Sequence, residues 1–333
     1  MEIRPFDSDY RQLSRMIHEA WAGEHESHID FTETYLKFLI ESPDTEPSLT
    51  LGAYQNGNLV SFVLSKKRRI FINGKEYLGL QQTLGTTRPD YAHRFPYIRL
   101  KAASIKTAVQ RGYDLNYGFI AWGIKNNRIE ALFAEKEGYQ CNRVHSFGWL
   151  GRAPVDPVPE RRVADPPSDV QLQPLEPPDA DGCLEIIHRS AEACSIYQKW
   201  DKETFRQHFL QSDFCQGRIV RIGGRQTGFI GLSKFDMIKA RTRKKVCFIY
   251  HLFIEEMTDP MKEGVMAAII DEMRGEGVEV ISIPHTGYFN GDYLKKLGFK
   301  AMPFKRFKTN LYITMFRKSL SYGIDEPFYL EIV

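Results

Sequence analysis

A histidine and a tyrosine at the inner end of an apolar run are the residues of this sequence best suited to proton transfer. Tyr250 and His251 lie within the run 245–254, and Glu255 follows it. Histidine accepts a proton near neutral pH because its unperturbed pKa is about 6.5. A lone histidine on an apolar strand is, however, more often a core residue with a hydrogen-bond partner. A general base and a buried packing residue therefore both stay open for His251.

Three histidines near the amino terminus, His18, His25 and His28, lie among glutamates without the spacing of a metal site. None of them completes an HExxH pattern. Charged residues bunched around Gly23 usually face water, so this segment is predicted to be solvated surface. The five cysteines are scattered and never form a CxxC pair, which argues against a disulfide framework and a zinc site. The sequence therefore predicts no metal.

Basic residues occur in two short runs, at 66–69 and around 241–245. Both runs are predicted on exposed hairpins, where either could receive an acidic substrate. The whole chain has 45 Lys and Arg against 42 Asp and Glu, a formal charge of only +3. This balance makes nucleic acid an unexpected partner and indicates that any anionic partner is bound locally.

Length and composition predict two globular domains. A chain of 333 residues is longer than a domain with a single hydrophobic core usually is. Its 42% hydrophobic and 26% charged residues are typical of a globular protein. Residues 151–169 contain five prolines, which disfavour helices and sheet ladders, so we predict a linker there between domains 1–150 and 170–333. No apolar run reaches the roughly 20 residues of a membrane helix and no signal peptide is recognised, so a cytoplasmic location and no membrane partner are expected.

Both predicted domains show the same order of elements. In each, a short strand precedes two helices, hairpin strands follow, and a longer helix leads to a buried strand and a short closing helix. Asn56-Gly57, Asn73-Gly74 and Gly223-Gly224 mark hairpin turns, and Asp7 or Ser8 is predicted to cap the first helix. The pattern predicts an α/β (α+β) fold of two tandem domains, each a mixed, mainly antiparallel sheet flanked by helices.

Each half closes with an asparagine, a short helix and a glycine followed by an aromatic residue. The first copy runs from Asn127 to Gly138-Tyr139, and the second from Asn290 to Gly298-Phe299. In these signatures the chain resembles the GNAT superfamily of N-acetyltransferases, as a tandem two-domain member. The resemblance implies transfer of an acyl group from acetyl-CoA or another acyl-CoA to an amine of a small molecule or peptide.

The resemblance also implies where coenzyme A would bind. Residues Thr87 to Tyr91 resemble the lead into the family's pyrophosphate loop, whose two usual glycines are replaced here by Phe95 and Tyr97. Backbone N–H groups at a helix start and nearby basic side chains favour a pyrophosphate. The implied cofactor-binding residues are Thr86, Thr87, Arg88, Arg94, Arg99 and Asn127, with Lys101 adding to the basic surface.

The second half departs further from the family pattern. Acidic residues within 255–259 occupy its corresponding loop, where they would repel a pyrophosphate. The tyrosine that family members often use as an acid, four residues before the closing glycine, is replaced by Ala134 and Leu294. Tyr293, one residue away, is either a substitute acid or a core residue. The candidate catalytic residues are Tyr250, His251 and Tyr293.

Three functions stay open at this point. The first is an acyl-CoA-dependent N-acyltransferase whose first domain holds the acyl-CoA. The second is a catalytically inactive ligand-binding or regulatory protein on a tandem GNAT fold, because the loop glycines and the tyrosine acid are missing. The third is an aminoacyl-tRNA-dependent transferase, which would bind tRNA with a steep salt dependence. The sequence leaves the oligomeric state open.

Overall fold

The computed structural model describes residues 1–24, 28–121, 138–154, 156, 169–239, 242–302, 308–316 and 327–332. The helices of the first half are α1 (Tyr10–Glu24), α2 (Glu33–Ile40) and α3 (Pro96–Gln110). Its strands are β1 (Glu2–Pro5), β2 (His28–Ile29), β3 (Leu51–Gln55), β4 (Asn58–Ile72), β5 (Lys75–Thr87), β6 (Leu115–Ala121) and β7 (Gln140–Arg152).

The second half repeats this order after residue 169. Its helices are α4 (Ala180–Ala191), α5 (Lys202–Leu210), α6 (Asp259–Gly275) and α7 (Asp292–Lys296). Its strands are β8 (Val170–Pro174), β9 (Ile196–Lys199), β10 (Cys215–Ile222), β11 (Arg225–Lys239), β12 (Thr242–Phe253), β13 (Val280–His285), β14 (Lys300–Ala301), β15 (Thr309–Met315) and β16 (Phe328–Tyr329). None of the helices in the described part of the chain is long and apolar enough to cross a membrane.

Most of the strands lie along one sheet that runs through both halves. Their order is β1-β3-β4-β5-β6-β15-β7-β13-β12-β11-β10-β8. Neighbours along this path are antiparallel except for β5–β6 in the first half and β12–β13 in the second. The mixed, mainly antiparallel sheet flanked by helices is confirmed.

The two halves exchange their last strands. β15, near the end of the chain, lies between β6 and β7 of the first half. Residues 140–147 of β7 pair with β15, whereas residues 148–152 pair with β13 of the second half. Strand β7 therefore pairs with strands of both halves along its length, and it makes the sheet continuous between them.

The two Asn-Gly turns form as predicted, whereas the cap of the first helix is a different residue from the two predicted. Asn56 and Gly57 have φ of 51° and 78°, the left-handed pair that a type I′ turn requires, and Asn73-Gly74 repeats it. The first helix begins later than the predicted Asp7 or Ser8 cap. The Asp9 carboxylate accepts the N–H of Gln12 at 2.9 Å, and so Asp9 caps α1.

The carboxyl-terminal segment, residues 327–332, fills the space between the halves. Phe328 and Tyr329 form β16 beside β9, and β9 pairs in turn with β4 of the first half. Every residue from Phe328 to Ile332 is buried. The sequence analysis predicted no element here, although five consecutive buried residues make this segment part of the core.

Candidate active site

A cavity of about 40 Å³ lies where α2, α5, β11, β12 and the carboxyl-terminal segment meet. Much of its wall is apolar, with residues such as Phe31, Leu39 and Phe235. The polar side chains that line it are Tyr35, His208, Ser233, Tyr250, His251 and Glu331. Two of the three predicted catalytic residues, Tyr250 and His251, therefore line the same cavity.

A β-bulge explains why two consecutive residues of one strand face the same cavity. Gly231 pairs with His251 and Leu232 pairs with Ile249, so Tyr250 is an extra residue on β12. Neighbouring residues of a regular strand point to opposite faces, whereas a bulge re-aims a side chain. The bulge depends on Gly231, because a Cβ there would lie 2.7 Å from Cδ2 of His251.

Four charged side chains form a buried network beside the cavity. Lys66 and Arg68 of β4 are 1% and 5% exposed and face Asp44 and Glu331, which are equally buried. Arg68 forms ion pairs with both carboxylates, and the Lys66 ammonium lies 3.7 Å from Asp44. The prediction that the run 66–69 is exposed is therefore wrong for these two residues. Alternate residues of β4 face the interior, so Lys66 and Arg68 point inward, and the carboxyl-terminal segment covers them.

The network determines the charge of Glu331. Burial raises the pKa of the Glu331 carboxyl, but Arg68, Lys66, His208 and His251 outweigh burial and bring this pKa down to about 2. Its Oε1 atom is buried without a hydrogen bond within the described residues, and lies 3.6 Å from Nε2 of His208. Glu331 is thus a carboxylate that lines the cavity and has one oxygen to which no described group donates.

The two cavity histidines are neutral near physiological pH. Burial lowers the pKa of His208 to about 4 and that of His251 to about 3, although Glu331 opposes both shifts. Nδ1 of His251 lies 2.7 Å from the Tyr329 hydroxyl oxygen, and the indole N–H of Trp200 donates to the same oxygen at 2.9 Å. His251 therefore has the hydrogen-bond partner expected of a buried histidine.

The third predicted catalytic residue lies elsewhere. Tyr293 is 1% exposed in the core between β12, β13, α6 and α7, and it does not line the cavity. Burial raises the pKa of its phenol, whose oxygen has no hydrogen bond within the described residues. The ring lies 5.5 Å from the Lys262 ammonium. Tyr293 is placed as a core residue that is not brought together with Tyr250 and His251.

In the first half, the parallel strands β5 and β6 stop pairing before either strand ends. Their last paired residues are Gln81 and Tyr117, whereas β5 continues to Thr87. Leu84, which has a φ of 52°, lies in an irregular stretch of β5 where the register with β4 shifts. Strands that part in this way leave a gap in the ladder, with backbone groups that do not pair across it.

The start of α3 lies just after this gap. Phe95, 61% exposed, precedes the helix with a φ of 52°, the left-handed conformation that glycine usually supplies. The first turn of α3 contains no acidic residue, so the positive end of the helix dipole is not compensated there. Phe95 therefore keeps the backbone shape of the predicted loop although it is not a glycine.

The structure places most of the predicted cofactor-binding residues around this helix start. Arg88 pairs with Asp90 at 3.0 Å, and Arg88 and Arg94 both lie 5.6 Å from the Tyr91 ring. Arg99 is exposed on α3. The hydroxyl of Thr86 donates to the Leu84 carbonyl at 3.0 Å, and that of Thr87 lies 2.9 Å from Oγ of Ser61. Asn127 lies outside the described residues, and Lys101 is buried.

The corresponding gap in the second half is closed. Strands β12 and β13 part after Phe248, but the hydroxyl of Tyr288 accepts the N–H of Leu252 at 3.0 Å and donates to the carbonyl of Tyr250 at 3.2 Å. The Tyr288 side chain thus makes hydrogen bonds to backbone groups of β12 that lie beyond the last pair with β13. The following loop is acidic, as predicted, and its Glu255 pairs with the Lys262 ammonium of α6 at 2.8 Å.

A larger groove of about 340 Å³ opens beside the cavity, and the two share Tyr35 and Phe235. Its acidic side chains are Asp30, Asp213, Asp236 and Glu276, and its basic ones are Lys234 and Lys245. Lys234 pairs with Glu276 at 2.7 Å.

The amino-terminal histidines do not form a metal site in the described residues. Nδ1 of His18 lies 3.1 Å from Nε2 of His28, and Nε2 of His18 lies 3.2 Å from Asp30, which also binds Arg243. His28 is 7% exposed, so the prediction of solvated surface is wrong for it. His25 lies outside the described residues.

The most informative comparisons are with solved structures, because no protein-family model matches the chain and no curated protein matches it in sequence. A Saccharomyces cerevisiae N-myristoyltransferase with bound myristoyl-CoA matches with a TM-score of 0.76 at 11% identity, over 100% of this chain and 85% of that one. A second structure of that enzyme, with myristoyl-CoA and inhibitors, has a TM-score of 0.72 at 12% identity, over 94% and 79% of the two chains.

A GCN5-related N-acetyltransferase from Anabaena variabilis also matches. Its TM-score is 0.59 at 10% identity, over 94% of this chain and 72% of that one. These neighbours have GNAT-superfamily folds, and the N-myristoyltransferases have tandem GNAT-like halves. The fold of this chain is therefore a tandem GNAT-like fold, as its closing signatures predicted.

Proposed function

We propose that this chain is an N-acyltransferase that binds an acyl-CoA in its first half and acylates an amine of a small molecule or peptide at the cavity between the halves. The N-myristoyltransferase structures of the same fold contain myristoyl-CoA, which supports an acyl-CoA as co-substrate. The identity of the acyl group and of the amine is left open by this proposal.

The observation that carries the proposal is the contrast between the two strand gaps. In the first half, β5 and β6 part beside a helix start that has Arg88, Arg94 and Arg99 nearby and no acid in its first turn. In the second half, Tyr288 occupies the gap and Asp259 lies in the first turn of α6. A pyrophosphate favours the first environment, because backbone N–H groups and arginines bind it there.

The cavity fits the acceptor side of the reaction. It is buried between the halves, and it shares Tyr35 and Phe235 with the larger groove beside it. A largely apolar pocket with a few convergent polar groups is typical of a binding site for a small group. We therefore assign Tyr250 and His251 to the acceptor pocket, and Tyr293 to the core.

The reaction itself requires two bond changes and one proton transfer. The amine nitrogen attacks the thioester carbonyl carbon, the carbon–sulfur bond breaks, and the proton lost by nitrogen ends on the coenzyme A thiolate. Burial raises the pKa of the Tyr250 phenol, so Tyr250 is protonated before the reaction. As Tyr250 passes its proton to the departing sulfur, it takes up the proton lost by the amine nitrogen, so the phenol is restored and the net transfer is from nitrogen to sulfur. We propose Tyr250 as this acid.

Calorimetric titration with acetyl-CoA tests the assignment of the first half. Arg94→Glu reverses a charge beside the proposed pyrophosphate site, so its affinity should fall roughly tenfold or more relative to wild type. The matched control is Arg189→Glu, because Arg189 pairs with Glu256 at 3.0 Å beside the loop of the second half. This control should bind acetyl-CoA as the wild type does.

Two results would count against the proposal. Equal affinity in wild type and Arg94→Glu would remove the pyrophosphate site from the first half, and loss of binding only in Arg189→Glu would move it to the second. Binding without turnover on any amine tested would favour the inactive ligand-binding protein. Salt-sensitive tRNA binding would instead favour the aminoacyl-tRNA-dependent transferase.

A further inference from the structure

Trp200, Tyr329 and His251 form a buried hydrogen-bonded chain that ends at the cavity. The indole N–H of Trp200 lies 2.9 Å from the Tyr329 oxygen, which lies 2.7 Å from Nδ1 of His251. The three residues are 5%, 1% and 1% exposed, so water does not compete for these groups. Trp200 follows β9, Tyr329 belongs to β16 and His251 belongs to β12. These hydrogen bonds therefore join the carboxyl-terminal segment to the second half.

The direction of each hydrogen bond in this chain follows from the protons available. An indole N–H can only donate, so the Tyr329 oxygen accepts from Trp200. The Tyr329 hydroxyl has one proton, and within the described residues the other atom bonded to that oxygen is Nδ1 of His251. A buried hydroxyl proton needs an acceptor. Tyr329 therefore donates to Nδ1, and Nδ1 carries no proton.

An imidazole whose Nδ1 accepts a hydrogen bond holds its proton on Nε2 when it is neutral. The low pKa of His251, about 3, keeps the ring neutral well below physiological pH. Within the described residues its ring makes no hydrogen bond through Nε2, and the residue lines the cavity. The Nε2–H group of His251 is thus left to donate a hydrogen bond to a ligand. Because Nε2 already carries a proton, it cannot accept one.

We propose that His251 is a hydrogen-bond donor to a carbonyl oxygen of the acceptor substrate, and that Tyr329 is the positioning residue that fixes its tautomer. This inference rests on the proposed function only in taking the cavity as the acceptor pocket. It takes the place of the general base that the sequence left open for His251, because the ring nitrogen without a partner in the described residues already carries a proton.

The other polar groups of the cavity agree with an amide-like ligand. Glu331 presents an oxygen without a hydrogen bond in the described part of the chain, which can accept an N–H. His251 presents an N–H, which can bind a carbonyl oxygen. A neutral group with a carbonyl and an N–H side by side matches this pair, whereas a carboxylate would be repelled by Glu331.

The tautomer can be observed directly in the protein labelled with ¹⁵N-histidine. Long-range ¹H–¹⁵N correlation spectra separate protonated from bare ring nitrogens, and the His251 signals are assigned by their absence in His251→Gln. We expect His251 to carry its proton on Nε2 and Nδ1 to be bare. A proton on Nδ1 would overturn the proposal, since Nε2 would then be an acceptor.

Two further measurements test the ligand and the positioning role. Titration with formamide, a small neutral amide, should shift the His251 Nε2–H signal saturably, and the absence of any shift would remove the carbonyl-binding role. In Tyr329→Phe the signals should move towards an average of both tautomers. An unchanged tautomer in that variant would show that Tyr329 does not position the ring. None of these spectra needs acyl-CoA or turnover, so a failed acetyl-CoA titration leaves their result standing.

Discussion

Lys66 and Arg68 carry charges that water would solvate on an exposed hairpin, yet both are buried against Asp44 and Glu331. Removing such charges from water is costly, and the cost is offset only when every charge has a partner. The two cations and two carboxylates balance one another, so the loss of one member leaves an uncompensated charge. Glu331 is the informative member because it also lines the cavity.

We predict that Glu331→Gln lowers the free energy of unfolding by about 3–5 kcal/mol near neutral pH, because Arg68 loses its buried partner. Urea denaturation measures this change. The folded pKa of Glu331, about 2, lies below its unfolded value of about 4.5, so its contribution is present above pH 4.5 and is lost as pH falls towards 2. The gap between variant and wild type should therefore narrow in that window.

The control for this prediction is Glu192→Gln, which breaks an exposed pair with Lys199 of 2.8 Å. Solvent screens this pair, so the same chemical change should leave stability almost unaltered. A similar loss in both variants would mean that burial of the network does not decide its energy.

At the scale of single elements, the bulge in β12 determines which side chains reach the cavity. Gly231 lies opposite His251, and a Cβ added to it would lie 2.7 Å from that ring and 2.9 Å from the ring of Phe209. Neither ring can retreat easily within a packed core. The glycine is therefore required by close approach of side chains and not by its φ.

We predict that Gly231→Ala destabilises the fold by about 1–3 kcal/mol through overpacking, and also changes the ¹⁵N signals of His251. Gly275→Ala is the control, because it lies at the end of α6 with no atom within 4 Å of the added Cβ. That variant should be neutral or slightly more stable. Unchanged stability and His251 signals in Gly231→Ala would contradict the role given to the bulge.

Elements whose signals are local could be predicted from the sequence. Asn56-Gly57 and Asn73-Gly74 form the predicted turns because the φ values depend on those two residues alone. The run 66–69 could not be interpreted in the same way. Which of its basic residues face inward depends on a carboxyl-terminal segment more than 250 residues away, and sequence periodicity carries no signal of that contact.

At the scale of the whole molecule, the exchange of β7 and β15 makes each half depend on the other. Met315 pairs with Leu115 and Gln140, so the sheet of the first half is completed by a strand from the second. The repeat of elements predicted two tandem units, but a pairing between strands so far apart in sequence has no local pattern. The same holds for Tyr329, whose role depends on where β16 lies.

We predict that residues 1–152 and 170–333, produced separately, do not fold to native stability, and that the two fragments associate when they are produced together. Each fragment alone exposes a sheet edge that the other normally covers. Near-ultraviolet circular dichroism and co-purification measure these outcomes. Cooperative unfolding of either isolated fragment at the midpoint of the intact chain would show that the exchanged strand is dispensable.

The proposed function requires that an acyl-CoA binds at the first half of the chain and not at the second. Hydrogen–deuterium exchange of the intact protein, with and without acetyl-CoA, tests it most directly, because bound phosphates protect the backbone amides that they accept from. We predict slower exchange in peptides covering residues 88–100 and unchanged exchange in peptides covering residues 255–265. Protection confined to residues 255–265, or protection in neither region at saturating acetyl-CoA, would contradict the account.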